Sequence, residues 1–305
     1  MFKALLLLSA LVVCGSASAI LPPAANDQPA FTQLVVFGDS LSDNGNTFKL
    51  TNNQTPHPVL YANGRYSNGQ VWTEYLAEKL NVPFSTYAYG GATSDNRLVK
   101  GTASPTDPTI VPSAYDQVHT DYLPVAGSGS FSPERALHTV IVGSNDYVNA
   151  LKTGMPVNAE FTASVVSRIL NIVDMLYTET GARDIVVSGL PLFEASPYVL
   201  AMDKQVQGAF KQISGLHNML LASKVQEYAA SRPDLKLRHF DLSAYTRKVI
   251  DDKESHGFSV IDKSCLDKNT GAVCNNPEQH FFWDPLHPTT HGHKLLADGI
   301  LALLN

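Results

Sequence analysis

Gln33-Leu-Val-Val-Phe-Gly-Asp-Ser-Leu-Ser-Asp-Asn-Gly-Asn46 opens as a short apolar run and closes as a polar, glycine-containing turn. Leu34 to Phe37 carries two β-branched residues between turn signals and reads as a buried strand. The run breaks at Gly38 and leaves Asp39 and Ser40 at its carboxyl end. In a parallel α/β sheet ligands bind at that edge, so the pattern delivers a hydroxyl to the place where such a sheet does its chemistry. Gly-Asp-Ser alone also describes an ordinary turn. The reading of Ser40 therefore depends on what the rest of the chain brings to the same edge.

Outward from this stretch, strands and helices alternate. Pro83 to Ala88 reads as a second strand running into Tyr89-Gly90-Gly91-Ala92. Leu137 to Val142 is a third, ending in Gly143-Ser144-Asn145-Asp146, and Ile185 to Ser188 a fourth, ending in Gly189-Leu190-Pro191. A fifth covers Leu235 to Asp241. Helical spacing of Val71, Trp72, Tyr75, Leu76 and Leu80 predicts a helix capped by Ser67 or Asn68. Further helices are expected over Pro112 to Leu123, Asn158 to Thr180, Pro197 to Ala230 and Thr290 to Leu304. Thr47 to Pro58 reads as a loop, and the region from Asp95 to Ser132, rich in Pro, Gly, Ser and Thr, is the candidate substrate rim. Alternation without repeats predicts a three-layer α/β/α domain with a five-stranded parallel sheet. No linker divides the chain, so residues 20–305 are expected to form one domain.

Lys3, the apolar run Ala4 to Val13 and the small residues Ala17-Ser18-Ala19 read as a signal peptide over residues 1–19. That run is too short to span a bilayer. A lipid anchor on Cys14 is disfavoured by bulky Val13 before it. With no later long apolar segment, a secreted protein without a transmembrane segment is expected, as a monomer. The chain has 22 Lys+Arg against 28 Asp+Glu, a net charge of −6, and no basic run. That balance argues against nucleic acid and anionic membrane surfaces as partners. Cys265 and Cys274 remain after removal of residues 1–19, and an isolated close pair in an oxidising compartment predicts a disulfide. Asn53-Gln-Thr55 is the one N-glycosylation sequon, relevant in a eukaryotic host.

Three strands thus end in polar, glycine-containing turns, and Asp284-Pro-Leu-His287-Pro288 arrives near the C-terminus. A parallel sheet gathers such strand ends on one edge. Acyl transfer needs a nucleophile, a base, a group to orient the base and donors for an oxyanion. Ser40 can be the nucleophile, His287 the base and Asp284 the orienting carboxylate. The N–H groups of Ser40 and Gly91 and the amide of Asn145 can hold the oxyanion, with glycine at 91 expected to keep a side chain out of the substrate's way. Asp39, Ser42, Asp43, Gly90 and Asp146 read as structural residues of their turns.

In this order the blocks Phe37-Gly-Asp-Ser-Leu-Ser-Asp43, Ala88-Tyr-Gly-Gly-Ala92, Gly143-Ser-Asn-Asp146 and Asp284-Pro-Leu-His287-Pro288 resemble those of the GDSL, or SGNH, hydrolase superfamily. Gly64-Arg-Tyr-Ser-Asn-Gly69 and Gly189-Leu-Pro191 through Pro197 are similar to stretches common in its secreted members. The resemblance spans nearly the whole chain after residue 19. It implies a flavodoxin-like sheet and hydrolysis of carboxylic esters through an acyl-serine, with a small-molecule or lipid ester as substrate and no metal or organic cofactor. The family's lipases, lysophospholipases, phospholipid acyltransferases and carbohydrate acetylesterases share these blocks. Short to medium acyl esters are expected, on the view that the Asp95–Ser132 region and Phe281-Phe282-Trp283 wall an open groove. Two readings from other classes stand beside this one. His287, His291 and His293 invite a zinc hydrolase but lack a carboxylate set at ligand spacing, and a catalytically silent binding protein would share the fold. The Gly-x-Ser-x-Gly elbow of α/β-hydrolases is not found.

Overall fold

The apolar run of the opening stretch forms β1 (Gln33–Gly38). Its alternating side chains point to opposite faces of the sheet. Val35 and Phe37 enter one hydrophobic layer, and Leu34 and Val36 enter the other. A strand apolar on both faces needs cover on both, which is the physical origin of the three layers.

The computed structural model describes residues 30–128 and 131–305. The remaining strands are β2 (Phe84–Thr86), β3 (Thr102–Ser104), β4 (Asp107–Ile110), β5 (Ala136–Ile141), β6 (Asp184–Ser188), β7 (Lys236–Phe240), β8 (Val260–Ser264) and β9 (His280–Phe282). The helices are α1 (Asn46–Leu50), α2 (Trp72–Leu80), α3 (Ala114–Asp116), α4 (Ser144–Lys152), α5 (Ala159–Thr178), α6 (Pro197–Leu200), α7 (Lys204–Ala230), α8 (Leu242–Asp251) and α9 (Thr290–Leu304). The main sheet is parallel throughout, in the order β2-β1-β5-β6-β7. This is the flavodoxin-like order, and the chain reverses its direction of growth between β1 and β5. Helices α4, α5 and α7 cover one face through Tyr147, Ile169, Ile172, Phe210 and Leu221. Helices α2, α8 and α9 cover the other through Trp72, Leu76, Leu242, Leu296 and Ile300. Two ribbons lie outside the sheet, β3–β4 antiparallel and β8–β9 parallel.

Several local expectations need correction. The helix expected over residues 197–230 is interrupted, because Asp203 accepts the N–H of Val206 and caps a new helix, α7. Helix α4 begins directly after Gly143, and α8 follows β7 with Asp241 accepting the N–H of Ala244; neither was expected. Neither Ser67 nor Asn68 caps α2. Val71 stands at that end, with its N–H donated to Glu74 at 3.0 Å. The residues read as a signal peptide lie outside the described ones. No helix among the described residues is long and apolar enough to cross a membrane.

Candidate active site

The turn after β1 is organised by two buried carboxylates. Asp43 accepts the N–H groups of Gly45, Asn46 and Thr47 at 2.7, 2.6 and 3.1 Å. It also accepts the N–H of Gly90 at 2.8 Å, tying the serine turn to the glycine turn beyond β2. Burial pushes the Asp43 carboxyl up from its ordinary value, and these N–H donors oppose the shift. Asp39 accepts the N–H of Leu41 at 3.1 Å and borders the cleft beside Ser40. Burial lifts its pKa to about 6, against the pull of that N–H and of the His287 charge.

The two adjacent glycines divide their roles. The N–H of Gly90 is already committed to Asp43, so it cannot serve an oxyanion. Gly91 lines the cleft, and among the described residues neither its N–H nor that of Ser40 has a hydrogen-bond acceptor. Gly91 has φ +84°, and a Cβ there would lie 1.9 Å from the backbone oxygen of Thr102. Glycine is therefore required by the β3–β4 ribbon packed behind it.

Asn145 sits in the first turn of α4, where the chain leaves β5. Its Nδ2 donates to the carbonyl of Ala92 at 2.9 Å, which leaves the second amide hydrogen available at the cleft. Asp146 accepts from Ser94 twice, from the N–H at 2.8 Å and from the hydroxyl at 2.6 Å. Burial raises its pKa to about 7, with the Ser94 bonds pulling the other way. Asn145 and Asp146 together clamp the Gly91–Ser94 segment onto α4.

Asp284 and His287 lie on a turn between β9 and α9. Its backbone is closed by the N–H of Trp283 donating to the carbonyl of His287 at 2.8 Å. Asp284 Oδ1 takes the N–H groups of Leu286 and His287, each at 2.8 Å. Both carboxylate oxygens lie 2.9 Å from His287 Nδ1, and His287 Nε2 lies 2.8 Å from Ser40 Oγ. Burial alone would raise the Asp284 pKa. The charge and Nδ1–H of His287, with Lys268 and Tyr61, outweigh it and hold the carboxyl well below the usual range. An ionised carboxylate favours hydrogen on Nδ1 and so a lone pair on Nε2 facing the serine hydroxyl.

The segment before α2 grips this turn from the other side. Ser67 Oγ donates to the carbonyl of Pro288 at 2.9 Å, and Asn68 accepts the N–H of Thr290 at 2.8 Å. Asn68 thus satisfies an orphan donor of α9 rather than of α2. The Tyr66 ring packs against the imidazole of His287 with centroids 5.2 Å apart. The disulfide Cys265–Cys274 is present, and its loop packs Leu266 against Trp283 and Tyr61.

The expected site residues therefore divide cleanly. Ser40, Asp284, His287, Gly91 and Asn145 all line one cleft of about 290 Å³. Of the expected rim, Thr102 to Pro105 border it. Phe281 and Phe282 line it, but Trp283 does not; its Nε1 donates to the carbonyl of Leu60. Leu41 of the first block and Leu192 and Phe193 of the Gly189–Pro197 stretch add to an apolar wall that is completed by Leu242 and Leu296, which no sequence motif marked. The three clustered histidines do not converge. His291 Nδ1 lies 2.7 Å from the Glu278 carbonyl oxygen, and buried His293 accepts the N–H of Trp72. Among the described residues, the one group of three with ligand potential is Cys265, Cys274 and His280, and its sulfurs are bonded to each other. Asn53 is exposed on the loop after α1.

This arrangement can deprotonate a serine hydroxyl and present N–H donors to an oxygen beside it, the apparatus of acyl transfer. A model of the GDSL-like lipase/acylhydrolase family matches residues 34–300. The chain belongs to that family, one of carboxylic ester hydrolases. The thermolabile hemolysin of Vibrio parahaemolyticus is 26% identical over 298 residues, covering 92% of this chain and 66% of its own length. The phosphatidylcholine-sterol acyltransferase of Aeromonas hydrophila is 26% identical over 320 residues, 90% of each chain. The crystal structure of an extracellular lipase from Streptomyces rimosus shares the fold, with a TM-score of 0.50 at 13% identity over 89% of this chain and 99% of that one.

Proposed function

We propose that the chain is a secreted serine esterase or lipase that hydrolyses carboxylic esters through an acyl-Ser40 intermediate. The observation that carries this reading is the relay of 2.8 Å from Ser40 Oγ to His287 Nε2 and 2.9 Å from Nδ1 to Asp284. His287 takes the serine proton as Oγ attacks the ester carbonyl. The N–H groups of Ser40 and Gly91 and the free amide hydrogen of Asn145 receive the oxyanion. The alcohol leaves with the proton from His287, and water repeats the sequence to release the acid. Secretion follows from the reading of residues 1–19 as a signal peptide.

For the substrate, a cleft of about 290 Å³ walled by Leu41, Leu192, Phe281, Phe282 and Leu296 favours an acyl chain. That volume lies near the lower end for ligand pockets. A covered methylene contributes only ~0.8 kcal/mol, so carbons beyond the cleft add little. Short to medium acyl esters are the preferred class. Transfer of the acyl group to an alcohol is a second reading, supported by the similarity to the Aeromonas acyltransferase.

A nitrophenyl ester series from acetate to palmitate, run on the wild type and on Ser40→Ala, tests the proposal. The expected result is a maximum of kcat/KM at short to medium chains and loss of turnover to background in Ser40→Ala. Faster turnover of palmitate than of butyrate would overturn the chain-length assignment, and an active Ser40→Ala enzyme would overturn the site.

A further inference from the structure

Asp284 receives more donors than a turn and an imidazole require. Two backbone N–H groups fix Oδ1. Oδ2 accepts the phenol O–H of Tyr61 at 2.6 Å, from a residue 223 positions earlier in the chain. Lys268 Nζ stands 3.7 Å from the same oxygen, with its side chain 55% exposed. Tyr61 is 6% exposed and packs against Cys265, Leu266 and Trp283. Burial, and then the charge of Asp284, push the Tyr61 phenol up from its ordinary value, so it remains a donor.

The torsion of an aspartate carboxylate is broad. Bonds to Oδ1 alone would let its plane swing, and the pairing with His287 Nδ1 would swing with it. We propose that Tyr61 is a positioning residue of the triad: its phenol pins Asp284 Oδ2, so the carboxylate keeps one plane while His287 takes and returns the serine proton. The inference rests on the assignment of Ser40, His287 and Asp284 above. The loop closed by Cys265–Cys274 supports the Tyr61 ring from behind. Lys268 adds a charge to the same oxygen, but one open to solvent and correspondingly screened.

Tyr61→Phe removes the hydroxyl and keeps the ring, with circular dichroism to check the fold. The expected result is a kcat about tenfold lower on a nitrophenyl ester, consistent with losing a hydrogen bond to a charged group, at a KM within about twofold. The far-downfield proton resonance of His287 Nδ1–H should shift or broaden, which a purely structural role would not produce. Lys268→Gln should lower kcat by less than Tyr61→Phe does. Ser40→Ala separates the two claims. If Ser40→Ala is inactive while Tyr61→Phe keeps wild-type kcat and an unmoved resonance, the role of Tyr61 is overturned and the triad stands. If Ser40→Ala stays active, the triad itself falls. A larger loss from Lys268→Gln than from Tyr61→Phe would assign the positioning to charge and overturn the proposal.

Discussion

Ser40, Gly91 and Asn145 hang from the ends of β1, β2 and β5, whereas Asp284 and His287 sit on a turn outside the main sheet. Backbone holds the first group: parallel register, a positive-φ glycine against the Thr102 carbonyl, and N–H groups gathered by Asp43. Side chains from distant segments hold the second: Tyr61, Ser67 and Asn68 from before α2, and the Cys265–Cys274 loop. The backbone of the sheet-edge half cannot be disturbed without disturbing the fold. The turn half can be loosened while the sheet stands. The proposed nucleophile and oxyanion donors thus share the rigidity of the core, and the proposed base is placed by crosslinks that are separately removable.

The sharpest break in the sheet-edge half is Gly91→Ala. Its Cβ would meet the Thr102 backbone oxygen at a residue with φ +84°. Overpacking and left-handed strain together should cost roughly 3–5 kcal/mol. That lowers Tm by roughly 10 °C, or leaves no soluble protein. A variant melting like the wild type would show that the β3–β4 ribbon yields easily. Asn145→Ala should lower Tm by only a few degrees, for the lost bond to the Ala92 carbonyl, but reduce kcat roughly 100–1000-fold, as for other single oxyanion donors. KM should change little, because the charge it meets appears only in the transition state. A near-normal kcat would make the turn scaffold alone.

In the turn half, replacing Cys265 and Cys274 with alanine should destabilise by on the order of 2–3 kcal/mol, given a closed loop of sequence separation 9. Activity should be lost below the unfolding temperature, as the Asp284–His287 turn loosens before the sheet melts. Activity and circular dichroism that disappear together would erase the distinction between the halves. The smallest effect concerns Asp146, whose pKa is raised by burial to about 7 in the fold. Between about pH 4 and 7 the folded chain keeps a proton that the unfolded chain has lost, so this group's contribution to stability falls as pH rises. Asp146→Asn should therefore gain a few degrees of Tm relative to wild type from pH 5 to pH 8. A difference that is constant with pH would show that Asp146 stays ionised throughout.

The sheet-edge half was legible in the sequence because its signals are local. Leu34–Phe37 followed by Gly-Asp-Ser marks a strand end with its hydroxyl, and the Gly90-Gly91 and Gly143–Asp146 turns carry theirs within four residues. Helix α9 has the expected bounds because Thr289 caps it and an apolar face runs to its end. Helices α4 and α8 were missed although Asp241 and the apolar positions of α8 were in view. The break between α6 and α7 turned on one capping aspartate inside a helical pattern. The supports of the turn half had no local signal. Tyr61 meets Asp284 across 223 residues, and Asn68 meets Thr290 across 222. Side-chain crosslinks of that range follow from tertiary packing, and a single sequence shows only their two separate ends.

The central claim is that Ser40 carries the acyl group, and stoichiometric labelling tests it most directly. The wild-type chain is treated with an organophosphonate, and residual esterase activity is followed against the labelled fraction of each tryptic peptide. The expected result is one phosphonate per chain, on the peptide containing Ser40, with activity falling in proportion and no labelling in Ser40→Ala. Full activity in a chain labelled at Ser40, or complete inactivation with the label on another residue, would contradict it.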